Sequence, residues 1–283
     1  MQNWAFMLGF VLGLATALGP ARAADVPCGA EAACTLPGGS YHLMGPADWD
    51  GVTPLPAMIF YHGFRSSGLS ALRSAGLRAD FADQGYLVIA PNGARMRGSE
   101  ARAWPARDEV DPVRDDVAFS LAVLDDVAAR LPIDAARVYV SGFSAGGSMA
   151  WRMACLAGDR FAGAASVAGA LRRPPEIPDT CPTGPIRLIQ IHGFADAQVP
   201  FEGRAIRDWH QGDLFAGLAL VRRTNGCRSN PDSIVVEDPF WCRTWADSCD
   251  SGAIALCLHP GGHGLPRGWT ARARAFLEDG VGE

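Results

Sequence analysis

The feature that most constrains the fold is a glycine-flanked serine in the segment Gly142–Gly146, which reads GFSAG. An apolar strand pattern, Arg137–Val140, leads directly into it, and an apolar helix pattern runs from it to Leu156. A strand–turn–helix of this kind is typical of a nucleophile elbow, where a side chain at Gly142 or Gly146 would clash across the sharp turn. Ser144 is therefore predicted to project from the tip of the turn as a nucleophile.

The rest of the chain alternates between short β-rich apolar runs and helical patterns, which indicates a parallel α/β sheet. Pro56–Tyr61, Tyr86–Ala90 and Ile186–Ile191 are predicted as buried strands. Asp115–Leu131 is predicted as a helix that Pro132 stops. The predicted fold class is a single doubly wound α/β domain with a mostly parallel sheet.

A serine hydroxyl is a weak nucleophile until a base removes its proton. The sequence contains no lysine, so a lysine base for Ser144 is excluded, as are Schiff-base and Walker-A chemistry. In elbow enzymes the chain order is serine, acid, then histidine on a late loop. His263 lies in such a glycine-rich loop and is predicted as the base, with His259 as the alternative.

The acid should follow a strand that lies between the serine and the histidine. Asp196 comes shortly after the strand Ile186–Ile191 and is predicted to orient the imidazole. An oxyanion hole needs two backbone N–H groups, one from the residue after the nucleophile and one from a loop after an early strand. Ala145 and Phe64 are predicted to supply them, with Arg65 as the alternative to Phe64.

The N-terminus carries the pattern of an export signal. Residues 1–23 contain an apolar run too short to span a bilayer and end in a small-x-small cleavage pattern, which leaves 24–283 as the catalytic domain. An uncleaved anchor is the alternative, because Met1–Trp4 has no basic side chain. The protein is expected to be secreted or periplasmic, without stable membrane association after cleavage. A net charge of −5 argues against a nucleic-acid partner.

All eight cysteines follow residue 23, and an even number in an exported chain suggests disulfides. Cys28 and Cys34 can close a small loop. Phe240–Trp245 and Ala253–His259 are predicted as two strands in a register that sets Cys242 opposite Cys257. The pairing of the other four is open at this point, and zinc is the alternative, although no Cys-x-x-Cys motif supports it.

Five motifs occur in an order that resembles the secreted polyhydroxybutyrate depolymerase and feruloyl esterase family of α/β-hydrolases, which also contains acetylxylan esterases. The resemblance spans roughly residues 40 to 275. It rests on His62–Phe64, Asp115–Phe119, Arg137–Gly147, His192–Pro200 and Gly261–His263.

The resemblance implies an α/β-hydrolase fold with a catalytic triad on Ser144, Asp196 and His263. It also implies the disulfides Cys155–Cys181 and Cys227–Cys249, and it requires no cofactor or metal.

The implied function is a serine carboxylic-ester hydrolase that cleaves hydroxyalkanoate oligomers or related small esters. A feruloyl or acetylxylan esterase is the alternative. A serine peptidase and an inactive binding protein of the same fold are less favoured alternatives. Four aromatic residues are candidates for an apolar substrate pocket: Trp104, Phe143, Phe201 and Trp269. Similar proteins often carry Thr-Trp-Pro after the histidine, where this chain has Gly264–Pro266, so the resemblance does not fix the substrate. The sequence does not indicate the oligomeric state.

Overall fold

The computed structural model describes residues 1, 28–96, 98–104, 114–172, 179–206 and 209–279. The signal predicted over residues 1–23 lies outside the described residues apart from Met1, and its cleavage stays a prediction. No helix within the described ranges is long and apolar enough to cross a membrane.

Strands make up the centre of the described part of the molecule. They are β1 (Cys34–Leu36), β2 (Gly39–Met44), β3 (Leu55–Tyr61), β4 (Leu87–Pro91), β5 (Ala94–Arg95), β6 (Arg102–Ala103), β7 (Ile133–Phe143), β8 (Gly163–Val167), β9 (Arg187–Gly193), β10 (Ala205–Ile206), β11 (Trp209–His210), β12 (Ser233–Glu237), β13 (Phe240–Trp245) and β14 (Ala253–His259).

Ten of these strands form one sheet in the order β1-β2-β4-β3-β7-β8-β9-β14-β13-β12. The six central strands, from β4 to β14 in that order, are parallel to their neighbours. Two antiparallel strands extend the sheet at each edge. The predicted doubly wound, mostly parallel sheet is therefore confirmed.

Helices cover both faces of this sheet. They are α1 (Gly68–Leu72), α2 (Ala75–Asp80), α3 (Asp116–Arg130), α4 (Ala145–Leu156), α5 (Leu214–Thr224) and α6 (Trp269–Glu278), with short 3₁₀ turns at Ala82–Gln84 and Gly158–Arg160.

Each face of the sheet has its own hydrophobic core, because the central strands are apolar on both sides. In β3, Ile59 and Tyr61 pack with residues of α3, α4 and α5, whereas Met58 and Phe60 pack with residues of α1, α2 and α6. An uninterrupted apolar strand such as β3 can be buried only between two layers of helices. Because the six central strands are parallel, their carboxyl ends lie along one edge of the sheet.

Helix α3 begins and ends at the residues that its sequence indicates. The side chain of Asp115 caps the helix by accepting hydrogen bonds from the N–H groups of Val117 and Ala118. The helix ends at Arg130, two residues before Pro132. The predicted range Asp115–Leu131 therefore includes the two capping residues.

Four disulfides link the eight cysteines in the pairs named from the sequence: Cys28–Cys34, Cys155–Cys181, Cys227–Cys249 and Cys242–Cys257. The last pair joins directly opposed positions of β13 and β14, which is the expected register. Since all eight thiols are bonded, none remains as a zinc ligand.

Four strands of the sheet were not predicted: β1, β2, β8 and β12. β8 reads GAASV and lacks the bulky β-branched pattern of its neighbours because α6 packs closely against it. A Cβ on Gly163 would lie 2.8 Å from a methyl carbon of Leu277 in that helix. β12 is the exposed edge strand and carries no alternation of buried and exposed positions.

Candidate active site

Ser144 occupies a strained turn between β7 and α4, with φ at 56° and ψ at −117°. A Cβ on Gly142 would overlap the carbonyl oxygen of Gly146 across the turn, and a Cβ on Gly146 would overlap the carbonyl oxygen of Tyr61 at the end of β3. The two glycines are therefore required by close backbone approach, and the serine takes the strained conformation between them.

The neighbouring strand β8 holds the turn in place. The Ser144 N–H donates to the carbonyl of Val167 at 2.9 Å. A Cβ on Gly147 would lie 2.7 Å from that same carbonyl oxygen, so a third glycine is needed where α4 begins. The sequence reasoning did not single out Gly147, although it directly follows the pentapeptide.

The loops after β9 and β14 bring the predicted acid and base to the serine. His259 pairs with Gly193 at the ends of these adjacent parallel strands. A Cβ on Gly193 would overlap the carbonyl oxygens of Gly261 and Gly262, so the two loops touch backbone to backbone. Asp196 and His263 follow within a few residues of this contact and reach the same edge of the sheet.

Ser144, His263 and Asp196 form a continuous hydrogen-bonded line. His263 Nε2 lies 2.8 Å from Ser144 Oγ, and His263 Nδ1 lies 2.8 Å from Asp196 Oδ2. A carboxylate can only accept, so Nδ1 carries the proton and Nε2 is free to accept from the serine hydroxyl. This is the tautomer that a general base requires.

Asp196 is buried and yet held as a carboxylate. Burial alone would raise the pKa of Asp196, but hydrogen bonds from His192, from the N–H of Val199 and from His263 together hold it well below its usual range. Its Oδ1 accepts N–H groups from Gln198 at 2.9 Å and Val199 at 2.8 Å. The negative charge that orients His263 is thus stabilised by fixed backbone dipoles.

A buried chain of side chains reaches Asp196 from the core. The Trp151 indole N–H donates to Gln190 Oε1 at 2.6 Å, so the amide nitrogen of Gln190 faces His192 Nδ1, at 2.9 Å. That leaves the proton of His192 on Nε2, which donates to the Val199 carbonyl at 2.8 Å and lies 3.3 Å from Asp196 Oδ2.

Sequence reasoning missed this chain, although it left one signal. Trp151, Gln190 and His192 are all fully buried. A glutamine within the otherwise apolar strand pattern Ile186–Ile191 has to find polar partners inside the protein, because an unpaired buried amide is costly.

The two residues predicted for the oxyanion hole lie at the elbow and in the loop next to it. Ala145 is the first residue of α4, where N–H groups have no partner within the helix. Phe64 follows Gly63, whose Cβ would lie 3.3 Å from the Phe143 ring, so this loop runs beside the elbow. The alternative donor Arg65 was wrong: its N–H donates to the carbonyl of Arg102 at 2.8 Å and is already engaged.

The other histidines near the strand ends have different roles from His263. His62 Nδ1–H donates to the Gly63 carbonyl at 2.7 Å, and its Nε2 accepts the N–H of Gly93 at 2.9 Å. Burial holds the pKa of His62 at about 4, so it stays neutral and braces the loop that carries Phe64. His259 accepts the N–H of Gly261 at 3.1 Å, and its hydrogen bond therefore supports the loop rather than the serine.

The four aromatic residues predicted for the substrate pocket lie in different surroundings. Trp104 and Trp269 are 2% and 5% exposed, and they pack in the two cores rather than on an open wall. Trp104 donates its indole N–H to the carbonyl of His62, and the Trp269 ring packs against Phe60. Phe143 stays near the site, with its ring centroid 5.2 Å from that of His263. Phe201 lies 5.2 Å from the His192 ring, behind the acid.

Comparison with known proteins identifies the same fold. A family profile described as alpha/beta hydrolase fold matches residues 56–209. The acetyl xylan esterase from Aspergillus awamori superimposes with a TM-score of 0.58 over 84% of this chain and 93% of its own, at 16% identity, which supports the fold alone.

Curated relatives carry esterase names. A putative esterase NocK of Nocardia uniformis subsp. tsuyamanensis is 38% identical over 231 residues, which are 75% of this chain and 66% of that protein. A probable feruloyl esterase C of Aspergillus niger is 28% identical over 82% of this chain and 78% of its own. The feruloyl esterase B of Piromyces equi is 28% identical over 77% of this chain but only 41% of its own length. The predicted resemblance and the predicted enzyme class are confirmed at this level.

Because His62 stays neutral in the folded protein, we expect the free energy of unfolding to decrease at acidic pH. The unfolded chain binds a proton on His62 near its usual pKa of 6.5, whereas the folded chain does so only near pH 4. Stability should therefore fall as the pH drops from 6.5 to 4, by about 3 kcal/mol from this group. Urea unfolding measured between pH 6.5 and pH 4 should show that the free energy of unfolding decreases less steeply with falling pH in His62→Gln than in the wild type. The exposed-histidine control His210→Gln should keep the wild-type slope, and an unchanged slope in His62→Gln would contradict the assignment.

Because His192 and its buried partners contact Asp196, we expect a substitution of His192 to lower turnover without weakening substrate binding. His192→Leu removes a donor to a carboxylate, and such a bond contributes about 1.5–3 kcal/mol, so kcat on p-nitrophenyl acetate should fall about ten- to a hundredfold at similar KM. His192→Gln keeps an N–H near the Nε2 position and should recover much of the rate. A folded His192→Leu with full kcat would show that His192 does not position Asp196.

Proposed function

The chain belongs to the α/β-hydrolase fold family, and from that premise we propose that it is a serine carboxylic-ester hydrolase with Ser144, His263 and Asp196 as its catalytic triad. The observation that carries the proposal is the hydrogen-bonded line from Ser144 Oγ through His263 to Asp196, at the tip of a glycine-lined elbow. The esterase names of the curated relatives support the same class of reaction.

In the proposed reaction His263 Nε2 takes the proton of Ser144 as Oγ attacks the ester carbonyl carbon. The N–H groups of Ala145 and Phe64 stabilise the negative oxygen that forms. The bond to the alcohol breaks, the alcohol leaves with the proton from His263, and the acyl group stays on Oγ. Water then attacks the acyl carbon, passes a proton through His263 back to Oγ, and releases the carboxylic acid.

For the substrate, we propose hydroxyalkanoate oligomers or related small esters, with feruloyl or acetylxylan esters as the second candidate. The sequence motifs resemble the family that contains both activities, and the names of the fungal relatives favour the second. Phe64 and Phe194 are 51% and 53% exposed beside the loops of the site, which suits an apolar portion of either substrate.

We also propose that the protein works outside the cytoplasm, in the periplasm or the medium. Four disulfides among the described residues suit an oxidising compartment. The export pattern over residues 1–23 supports the same location.

The nucleophile is tested by Ser144→Ala. Turnover of p-nitrophenyl acetate should fall by at least about a thousandfold, because the variant cannot form an acyl-enzyme. A fluorophosphonate probe should label the wild type at Ser144 and leave the variant unlabelled. A folded wild type that escapes labelling would point to an inactive binding protein, and retained turnover in the variant would mean another nucleophile.

The substrate is tested by a parallel assay on hydroxybutyrate oligomers, feruloyl sugars, acetylated xylan and a casein-derived peptide mixture. Hydroxybutyrate oligomers should give the highest kcat/KM if the favoured assignment is correct. A preference of about tenfold or more for feruloyl or acetyl esters would reverse the order of the two candidates. Peptide cleavage that exceeds ester cleavage would replace the esterase with a peptidase.

A further inference from the structure

An open cavity of about 450 Å³ lies directly beside Phe64. Its wall consists of Phe64, the two arginines Arg65 and Arg102, three serines and Glu100. The N–H of Phe64 is the proposed second donor of the oxyanion hole, so the cavity and the proposed oxyanion hole share this residue. Nothing in the catalytic scheme uses its polar side chains.

The two arginines are held together by the backbone. The N–H of Arg65 donates to the carbonyl of Arg102 at 2.8 Å, and Arg65 adopts a left-handed φ of 65°. A non-glycine residue in that conformation is uncommon and stays there only where its surroundings hold it. The Arg65 guanidinium lies over the Phe64 ring at 5.3 Å, and Arg102 Nη1 donates to the Gly93 carbonyl at 3.1 Å.

The charges around the cavity leave a positive excess. Glu100 is its one acidic wall residue, and that carboxylate pairs with Arg95 at 2.9 Å on the exposed side. Neither Arg65 nor Arg102 forms an ion pair with a carboxylate of the described residues.

Among the described residues, Glu100 is the one acidic group whose charge raises the pKa of Arg102. Burial has the largest effect and lowers that pKa, and the charges of Arg95 and Arg114 lower it further. His62 is neutral at its pKa of about 4, and Asp116 forms an ion pair with Arg114.

We propose that this cavity binds the free carboxylate of an ester substrate, so that the protein prefers esters of hydroxy acids that end in a carboxylate over neutral esters of the same length. Guanidinium groups bind carboxylates with two parallel hydrogen bonds, and the serine hydroxyls add further donors. A hydroxyalkanoate oligomer ends in such a carboxylate, whereas acetylated xylan offers a neutral ester. The inference rests on the proposed esterase function and narrows its substrate.

The test compares cleavage of the internal ester in the 3-hydroxybutyrate dimer and in its methyl ester, in which the terminal carboxylate is neutral; release of 3-hydroxybutyrate rather than of methanol is counted. The measured quantity is the ratio of kcat/KM for the dimer to kcat/KM for the methyl ester. The wild type should favour the dimer by about tenfold, and Arg102→Gln and Arg65→Asn should each lower the ratio by about the same factor, through KM. Asparagine is chosen at position 65 because it tolerates a left-handed φ.

Three controls separate charge from structural damage. Glu100→Gln removes the acidic wall and should raise the ratio, in the direction opposite to the arginine variants. Arg243→Gln removes an exposed arginine on β13, toward the far edge of the sheet, and should leave the ratio unchanged. Raising the salt from about 0.05 M to about 0.5 M should lower the ratio because the attraction is screened.

A wild-type protein that cleaves the methyl ester as well as the dimer would overturn the inference while leaving the esterase intact. Arginine variants with an unchanged ratio would also overturn it. If neither dimer ester is cleaved but p-nitrophenyl acetate is, the hydroxyalkanoate assignment fails and the esterase stands. If none of the three is cleaved, the esterase proposal fails. In both cases calorimetry with Ser144→Ala decides the cavity separately. Dimer binding that disappears when Arg102→Gln is added supports the carboxylate site, and the absence of binding overturns it.

Discussion

The structure depends on a close approach of backbone to backbone at the elbow. The turn after β7 folds back until Gly142 and Gly146 touch, and Gly146 meets the end of β3 at the same time. Any side chain at either position would separate the strand, the turn and the helix. The cost of this contact is the left-handed conformation of Ser144, which the bond from its N–H to Val167 in β8 helps to hold.

The candidate site also depends on an electrostatic interaction, the stabilisation of the Asp196 carboxylate by groups that extend into the core. Asp196 is buried and is held as a carboxylate because its two oxygens accept hydrogen bonds from Gln198, Val199 and His263. His192 Nε2, which donates to the Val199 carbonyl, lies 3.3 Å from Asp196 Oδ2. His192 is fixed in turn by a glutamine inside the sheet. The geometry of His263 is therefore set by packing several residues away from the reacting atoms, and the active edge of the sheet is built on a rigid interior.

Much of this arrangement was predictable because it is local in the chain. The glycine pentapeptide, the strand before it and the helix after it are contiguous, and the order serine, acid, histidine restricts the candidates. The pair Cys242–Cys257 follows from the register of a short hairpin. Three of the failures have long-range causes. β8 lacks a strand signal because α6 needs small residues beneath it. Arg65 gives its N–H to a residue 37 positions away, and the Trp104 indole donates to the His62 carbonyl.

The sequence by itself determined which residues can do the chemistry: without a lysine, a serine nucleophile in this chain depends on histidine, and the motifs indicate which one. Only the tertiary structure decided how they meet. The 2.8 Å contacts of His263, the tautomer of His192 and the pairing of two arginines beside Phe64 arise from loops that are distant in sequence. These loops come together because the parallel strands of a doubly wound sheet end along one edge, and no periodicity within a single segment contains that information.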